Sequence, residues 1–249
     1  VTLPLGSAAA MREDLIALMT GAMEVFDAEQ TALVGGHTNE GPELALGFAI
    51  NGYIDPAHLS RKGGANPGDC LILTKPLGTG VLFAAEMRGK AKTRWIEAAL
   101  TEMLQSNGPA AACLRSCGAS ALTDITGFGL LGHLSEMLRA ANAQASVDLD
   151  ALPLFDGATA LAGAGIVSSL HAHNLHIETL VDASETHRRD ARYPLCFDPQ
   201  TAGGLLAAIP EPAASACVAR LCNLGCTHAA IIGSVQAKDT AAQTWITLR

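Results

Sequence analysis

Residues 121–133 read Ala121-Leu122-Thr123-Asp124-Ile125-Thr126-Gly127-Phe128-Gly129-Leu130-Leu131-Gly132-His133. A short stretch over 121–125, with Ala121, Leu122 and Ile125 apolar, is followed by Gly127 and Gly129, and apolar residues at three- and four-residue spacing follow over 130–141. A strand entering a helix through a glycine turn is the expected local structure. The pattern continues on both sides. Upstream, a strand over 70–74 precedes a helix over 80–87, with further helical segments at 95–105 and 109–117. Downstream, 147–149, 195–197, 205–209, 229–233 and 244–248 read as strands and 213–224 as a helix. Mixed alternation of this kind predicts an α+β layered fold.

Nearer the N-terminus, Leu15, Leu18, Met19, Ala22, Met23 and Phe26 recur at helical spacing, which predicts a helix over 9–26. Residues 31–34 and 44–50 read as short strands. Pro56, Gly63, Gly64, Pro67 and Gly68 then punctuate a polar stretch, and a domain boundary is placed near residue 65. No internal repeat or low-complexity tract is present.

The chain has 249 residues, 49% of them hydrophobic, with a mean hydropathy of +0.26. Disordered and collagen-like classes are excluded. Sixteen basic residues against 24 acidic ones give a net charge of −8, which disfavours non-specific nucleic-acid binding but not a local anion site. No apolar run is long enough for an expected membrane-spanning helix, and the first residues of this sequence lack the basic-then-apolar layout of a signal peptide. Seven cysteines, an odd count in a chain too large to need staples, point to reduced thiols and a cytoplasmic protein.

Four stretches can carry chemistry. In Val34-Gly35-Gly36-His37-Thr38, glycines free the backbone to turn its N–H groups toward an anion, and Thr38 adds a hydroxyl donor; a plain turn between strands is the competing reading. Gly127, Gly129 and Gly132 form G-x-G-x-x-G, with Asp148 and Asp150 placed as a dinucleotide site would need. Against that, Asp124 at the carboxyl end of the strand would repel a pyrophosphate unless a cation intervened. Asp124 therefore reads as a Mg²⁺ ligand, or as a helix cap that needs no ligand. Thr74-Lys75-Pro76-Leu77-Gly78-Thr79-Gly80 is no Walker A loop, and a strand-to-helix turn is favoured over an anion site. Asp198-Pro199-Gln200-Thr201-Ala202-Gly203-Gly204 is a site wall or a hairpin.

Cys113/Cys117 and Cys222/Cys226 sit four residues apart, each pair on one face of an expected helix, and buried thiols are favoured over zinc ligands. His171, His173 and His176 form a cluster with no evident carboxylate or thiol partner.

Taken together, the stretches at 35–47, 67–80, 123–130 and 198–204 resemble the selenophosphate synthetase (selenide, water dikinase) family, in the same order and over nearly the whole chain. The resemblance implies the aminoimidazole ribonucleotide synthetase fold, an N-terminal α+β domain that dimerises and a C-terminal α+β domain packed on it. It implies ATP and Mg²⁺ between the domains, and conversion of ATP, selenide and water to selenophosphate, AMP and orthophosphate. Gly36, His37 and Thr38 match a loop that reaches the ATP phosphates from the partner subunit of a homodimer; Asp124 matches a Mg²⁺-ligating aspartate. Family members begin with about a hundred further residues, which carry a reactive Cys or selenocysteine, a Lys and clustered Asp. None of the seven cysteines here matches that nucleophile, so no catalytic residue is assigned. On this reading the chain is N-terminally truncated, with 1–64 the remnant of the ATP-binding domain and 65–249 the C-terminal domain. Its activity alone is expected to be absent. The alternatives are a sister kinase such as a thiamine-phosphate kinase, a nicotinamide-binding oxidoreductase acting through Gly127, Gly129 and Gly132, and a non-catalytic truncated paralogue.

Overall fold

In a computed structural model describing residues 1–239 and 241–249, the chain divides into two compact units, Val1–His58 and Leu59–Arg249. The first begins with strand β1 (Thr2–Pro4) and helix α1 (Ala8–Ala28). Ser7 caps α1 by accepting a hydrogen bond from the Ala10 N–H at 3.2 Å. Strand β2 (Asn39–Gly41) pairs in parallel with β1. Two expected strands are not formed. Residues 31–38 have no regular structure, and 44–50 contribute one isolated bridge, Ala45 to Thr2. The sequence has strand character at both places, but a strand exists only when a neighbour takes its backbone hydrogen bonds. Apart from that one bridge, no ladder partner for them lies among the described residues of this unit, and Val34 and Ile50 stand 95% and 72% exposed.

The second unit is built on a seven-stranded sheet. Its strands are β3 (Asp69–Leu73), β4 (Ala121–Asp124), β5 (Ala143–Val147), β6 (Val181–Asp182), β7 (Leu205–Pro210), β8 (Ala230–Ala237) and β9 (Ile246–Leu248), in the order β4-β7-β3-β8-β5-β9-β6. The pairings from β4 through β5 are antiparallel; β5–β9 and β9–β6 are parallel. Helices α2 (Thr79–Glu86), α3 (Thr93–Leu104), α4 (Gly108–Ser116), α5 (Gly129–Ala141) and α9 (Glu211–Asn223) agree with the periodicity to within two residues at either end. The short helices α6 (Ala158–Gly163), α7 (His171–Asn174) and α8 (Glu185–Arg189) lie in the stretch where no periodic signal was read. Residues 195–197, read as a strand, belong instead to a 3₁₀ turn over Tyr193–Phe197, where Pro194 at the start supplies no ladder donor. The strand read at 147–149 lies earlier, in β5.

Side-chain alternation sorts the core into layers. Leu71 and Leu73 of β3 and Leu206 and Ala208 of β7 face one side, where Leu130, Leu131, Leu134, Met137 and Leu138 of α5 cover them. Ile72, Ala207 and Ile209 face the other side, against α4 and α9. A third cluster joins α2, α3 and α6 through Val81, Leu82, Ala99, Ala158 and Leu195. The α+β class is confirmed. Strand β4 is at the sheet edge, and its neighbour β7 is antiparallel. The parallel unit that a dinucleotide-binding Gly127-x-Gly129-x-x-Gly132 requires is therefore missing, and that alternative falls. No helix among the described residues is long and apolar enough to cross a membrane.

Candidate functional site

The glycine loop at 35–38 lies in the first unit. Gly36, His37 and Thr38 are exposed. Neither Thr38 nor His37 has a side-chain hydrogen bond to a described residue. A Cβ at Gly35 or Gly36 would meet nothing within 4 Å, and neither residue has a positive φ. Glycine here is thus demanded by neither backbone strain nor packing against the described residues. A cavity of about 520 Å³ adjoins the loop, lined among others by Leu15, Met19, Gly35, Gly36, His37 and Thr38.

Asp124 lies in the second unit, the last residue of edge strand β4. It is exposed, and its carboxylate has no hydrogen bond or salt bridge to a described residue. It caps no helix: α5 begins five residues later, with no side-chain cap. The turn between them is held by other groups. The Thr126 N–H donates to His133 Nε2 at 3.1 Å, which makes that nitrogen the acceptor and leaves the proton of the neutral ring on Nδ1. Burial holds the His133 pKa below its ordinary value. Gly129 has φ +70°, and a Cβ there would lie 2.8 Å from the Phe197 carbonyl carbon. Asn174 Nδ2 donates to the carbonyls of Gly127 (2.8 Å) and Phe197 (3.0 Å). These bonds keep the turn rigid and Asp124 facing water. A lone carboxylate fits Mg²⁺, which takes one or two protein carboxylates and completes its shell with water and phosphate oxygens. Among the described residues no group of three or more His, Asp or Glu ligands gathers elsewhere.

Two other stretches are structural. Lys75 is 3% exposed, and its ammonium donates to the carbonyls of Glu102 (2.8 Å), Gln105 (2.7 Å) and Ala202 (3.4 Å). It satisfies the end of α3 and has no proton left for an anion. The loop 198–204 closes the start of α2. Gln200 Oε1 accepts from the Gly78 and Thr79 N–H groups at 3.0 and 3.2 Å. Asp198 is fully buried beside Gly80 and accepts from Gln200 Nε2 at 3.0 Å. Burial pushes its carboxyl pKa up to about 7 against the opposing pull of the Val81 amide. Its Oδ1 has no hydrogen-bond partner. A Cβ on Gly203 would sit 2.1 Å from the Ile125 carbonyl oxygen, so the loop runs hard against the Asp124 turn.

The histidines do not gather. His171 is buried edge-on to Phe197, while His173 and His176 pair outside with ring centroids 5.5 Å apart. Cys226 lies beyond the end of α9, so it shares no helix face with Cys222. The sequence reading missed His133, Gln200 and Asp198 as structural partners. Their residue types were visible, but the groups they satisfy come from contacts across the fold. It also missed the meeting of Cys217 with Cys113 and Cys117, whose sulfurs lie within 4.8 Å of one another.

Residues 66–245 match the family described as AIR synthase related protein, C-terminal domain. The chain is 40% identical over 190 residues to a selenide, water dikinase of Geobacter metallireducens, covering 76% of this chain and 55% of that one. It is 39% identical over 223 residues to a selenide, water dikinase of Myxococcus xanthus, covering 88% and 63% respectively. The chain thus spans less than two thirds of these relatives. Among solved structures, E. coli HypE aligns over 99% of this chain and 67% of its own, at 18% identity and a TM-score of 0.67, which supports the fold.

Proposed function

The chain belongs to the AIR synthase related family, and on that premise we propose that it is part of a selenide, water dikinase, in which ATP, selenide and water give selenophosphate, AMP and orthophosphate. The observation that carries the reading to a site is the carboxylate of Asp124, exposed and unpartnered on a turn that His133, Asn174 and Gly129 make rigid. The likeness to relatives named selenide, water dikinase supports this reaction over others of the family.

In this reading Asp124 holds Mg²⁺, and Gly36, His37 and Thr38 meet the phosphates. The open backbone at Gly36 lets polyphosphate oxygens approach the amides, and the Thr38 hydroxyl donates to one of them. Bound Mg²⁺ supplies charge neutralisation for the phosphates and for the leaving oxygen. The loop acts on the nucleotide of a second copy of the chain, so the unit of function is a homodimer. The cell compartment is the cytoplasm, where the seven thiols stay reduced. No cysteine of this chain is assigned as nucleophile. The 249 residues by themselves do not turn over, because one carboxylate does not organise a triphosphate and its ions.

The test is equilibrium binding of ATP with and without Mg²⁺. Binding is expected to depend on Mg²⁺ and to weaken by about tenfold or more in Asp124→Asn, a loss of at least ~1.4 kcal/mol, with an unchanged unfolding midpoint. Equal affinity with and without Mg²⁺, or in the variant, overturns the assignment of Asp124. AMP release from ATP and selenide by these 249 residues overturns the claim that they are inactive alone.

A further inference from the structure

Helices α4 and α9 lie side by side on the face of the sheet that carries Ile72, Ala207 and Ile209. Cys113 is within α4 and Cys117 is its C-cap residue, one turn on, so both sulfurs are presented on one side. Cys217, in the middle of α9, points into the same space. The three sulfurs lie within 4.8 Å of one another. Cys113 and Cys217 are buried and Cys117 is partly exposed, which leaves an approach from solvent. Arg220, three residues beyond Cys217, brings its guanidinium to 3.3 Å from Cys117 Sγ and donates to Ser116 Oγ at 2.8 Å.

We propose that Cys113, Cys117 and Cys217 form a trithiolate site for a thiophilic divalent cation of the Zn²⁺ class, with Arg220 as its counter-charge. Three thiolates around a tetrahedral ion at ~2.3 Å place their sulfurs about 3.8 Å apart. The trio reaches that spacing with side-chain adjustments on the order of 1 Å. Binding exchanges three S–H bonds for three S–metal bonds and releases three protons. The resulting complex carries one negative charge, which the adjacent guanidinium offsets. Thiolate ligands select Zn²⁺ and its softer congeners over Mg²⁺, so the site is chemically separate from Asp124. Only three protein ligands converge, and the fourth position is left to water or a small exogenous anion. Packing of small apolar thiols accounts for Cys113 and Cys217 taken singly. It does not account for a third sulfur at the surface with an arginine set against it.

The experiment uses the whole chain, kept reduced with a phosphine, stripped of metal and titrated with Cd²⁺ and Zn²⁺. One Cd²⁺ per chain is expected, with sulfur-to-metal charge-transfer absorption in the ultraviolet, and Zn²⁺ is expected to displace it. Cys117→Ser, at the partly exposed position, is expected to lower that absorption by about a third and to weaken affinity by about tenfold or more, with unchanged far-ultraviolet circular dichroism. Cys217→Ser acts likewise if it folds, and Cys222→Ser, outside the trio, changes neither quantity. Absence of saturable binding overturns the site. So does binding whose charge-transfer band is undiminished in Cys117→Ser, since the sulfurs holding the ion would then lie elsewhere in the chain.

Discussion

The two compact units handle the same kind of sequence differently. In Leu59–Arg249 an apolar stretch such as Asp69–Leu73 finds a strand on each side and a helix layer over each face, so Leu71, Ile72 and Leu73 are wholly buried. In Val1–His58 the apolar residues at 31–34 and 44–50 find no ladder, α1 has no buried residue, Val34 and Ile50 face outward, and Leu33 and Phe48, though Phe48 meets Phe26 edge-on, stay about half exposed. Strand propensity is a statement about fitting a pleated, half-covered surface. Where no such surface is supplied within the unit, the propensity goes unused. The two candidate segments follow this division. Asp124 stands on a turn fixed from several directions, whereas Gly36, His37 and Thr38 sit on a segment whose own unit gives it no regular structure.

The sharpest way to break this comparison is to make one substitution in each unit. Leu71→Ala opens a cavity between two packed layers and is expected to cost about 2–5 kcal/mol in urea unfolding. Leu33→Ala, at a side chain 46% exposed, is expected to stay within about 0.5 kcal/mol. Equal losses would mean that 31–34 is packed after all. A smaller contrast comes from glycine. Gly203→Ala drives a methyl group into the Ile125 carbonyl oxygen and is expected to cost about 1–3 kcal/mol. Gly36→Ala meets open space and is expected to leave stability unchanged or raise it by up to about 1 kcal/mol by restricting the unfolded chain. A destabilised Gly36→Ala would show that the loop is held within its own unit.

How much of this was legible in the sequence follows the same line. The helices α1 to α5 and α9 were readable because periodicity over two or more turns is local information. Strands β3, β4 and β7 were readable because their apolar runs are bounded by turn residues. The strands at 31–34 and 44–50 were misread because pairing is not local. Residues 195–197 were misread because a short apolar run is ambiguous and Pro194 outweighs it. At the site, Asp124 and the glycine loop stood out by residue type. Lys75 was correctly demoted, but its three carbonyl partners come from residues 102, 105 and 202 and were invisible beforehand. The same holds for the grip of Gln200 and Asp198 on the start of α2.

The effect most specific to the rigid unit is a pH dependence from Asp198. Its carboxyl has a folded-state pKa of about 7 against an ordinary 3.8, because burial opposes its ionisation. Between about pH 4 and 7 the folded state therefore holds a proton that the unfolded state has released. Its contribution to stability is fully present below pH 4, falls as pH rises through that window, and levels off above pH 7. Buried His133 and His171, whose pKa values are held down, act in the opposite sense below about pH 6.5, where the unfolded state takes up more protons. The wild-type curve alone mixes these effects, so the quantity to measure is the difference between Asp198→Asn and wild type from urea unfolding at several pH values. The variant cannot ionise at 198. Its stability relative to wild type is expected to rise from pH 4 to pH 7 and then flatten. A difference that does not vary with pH would show that Asp198 is ionised in the folded state, and that the amides at the start of α2 compensate its burial in full.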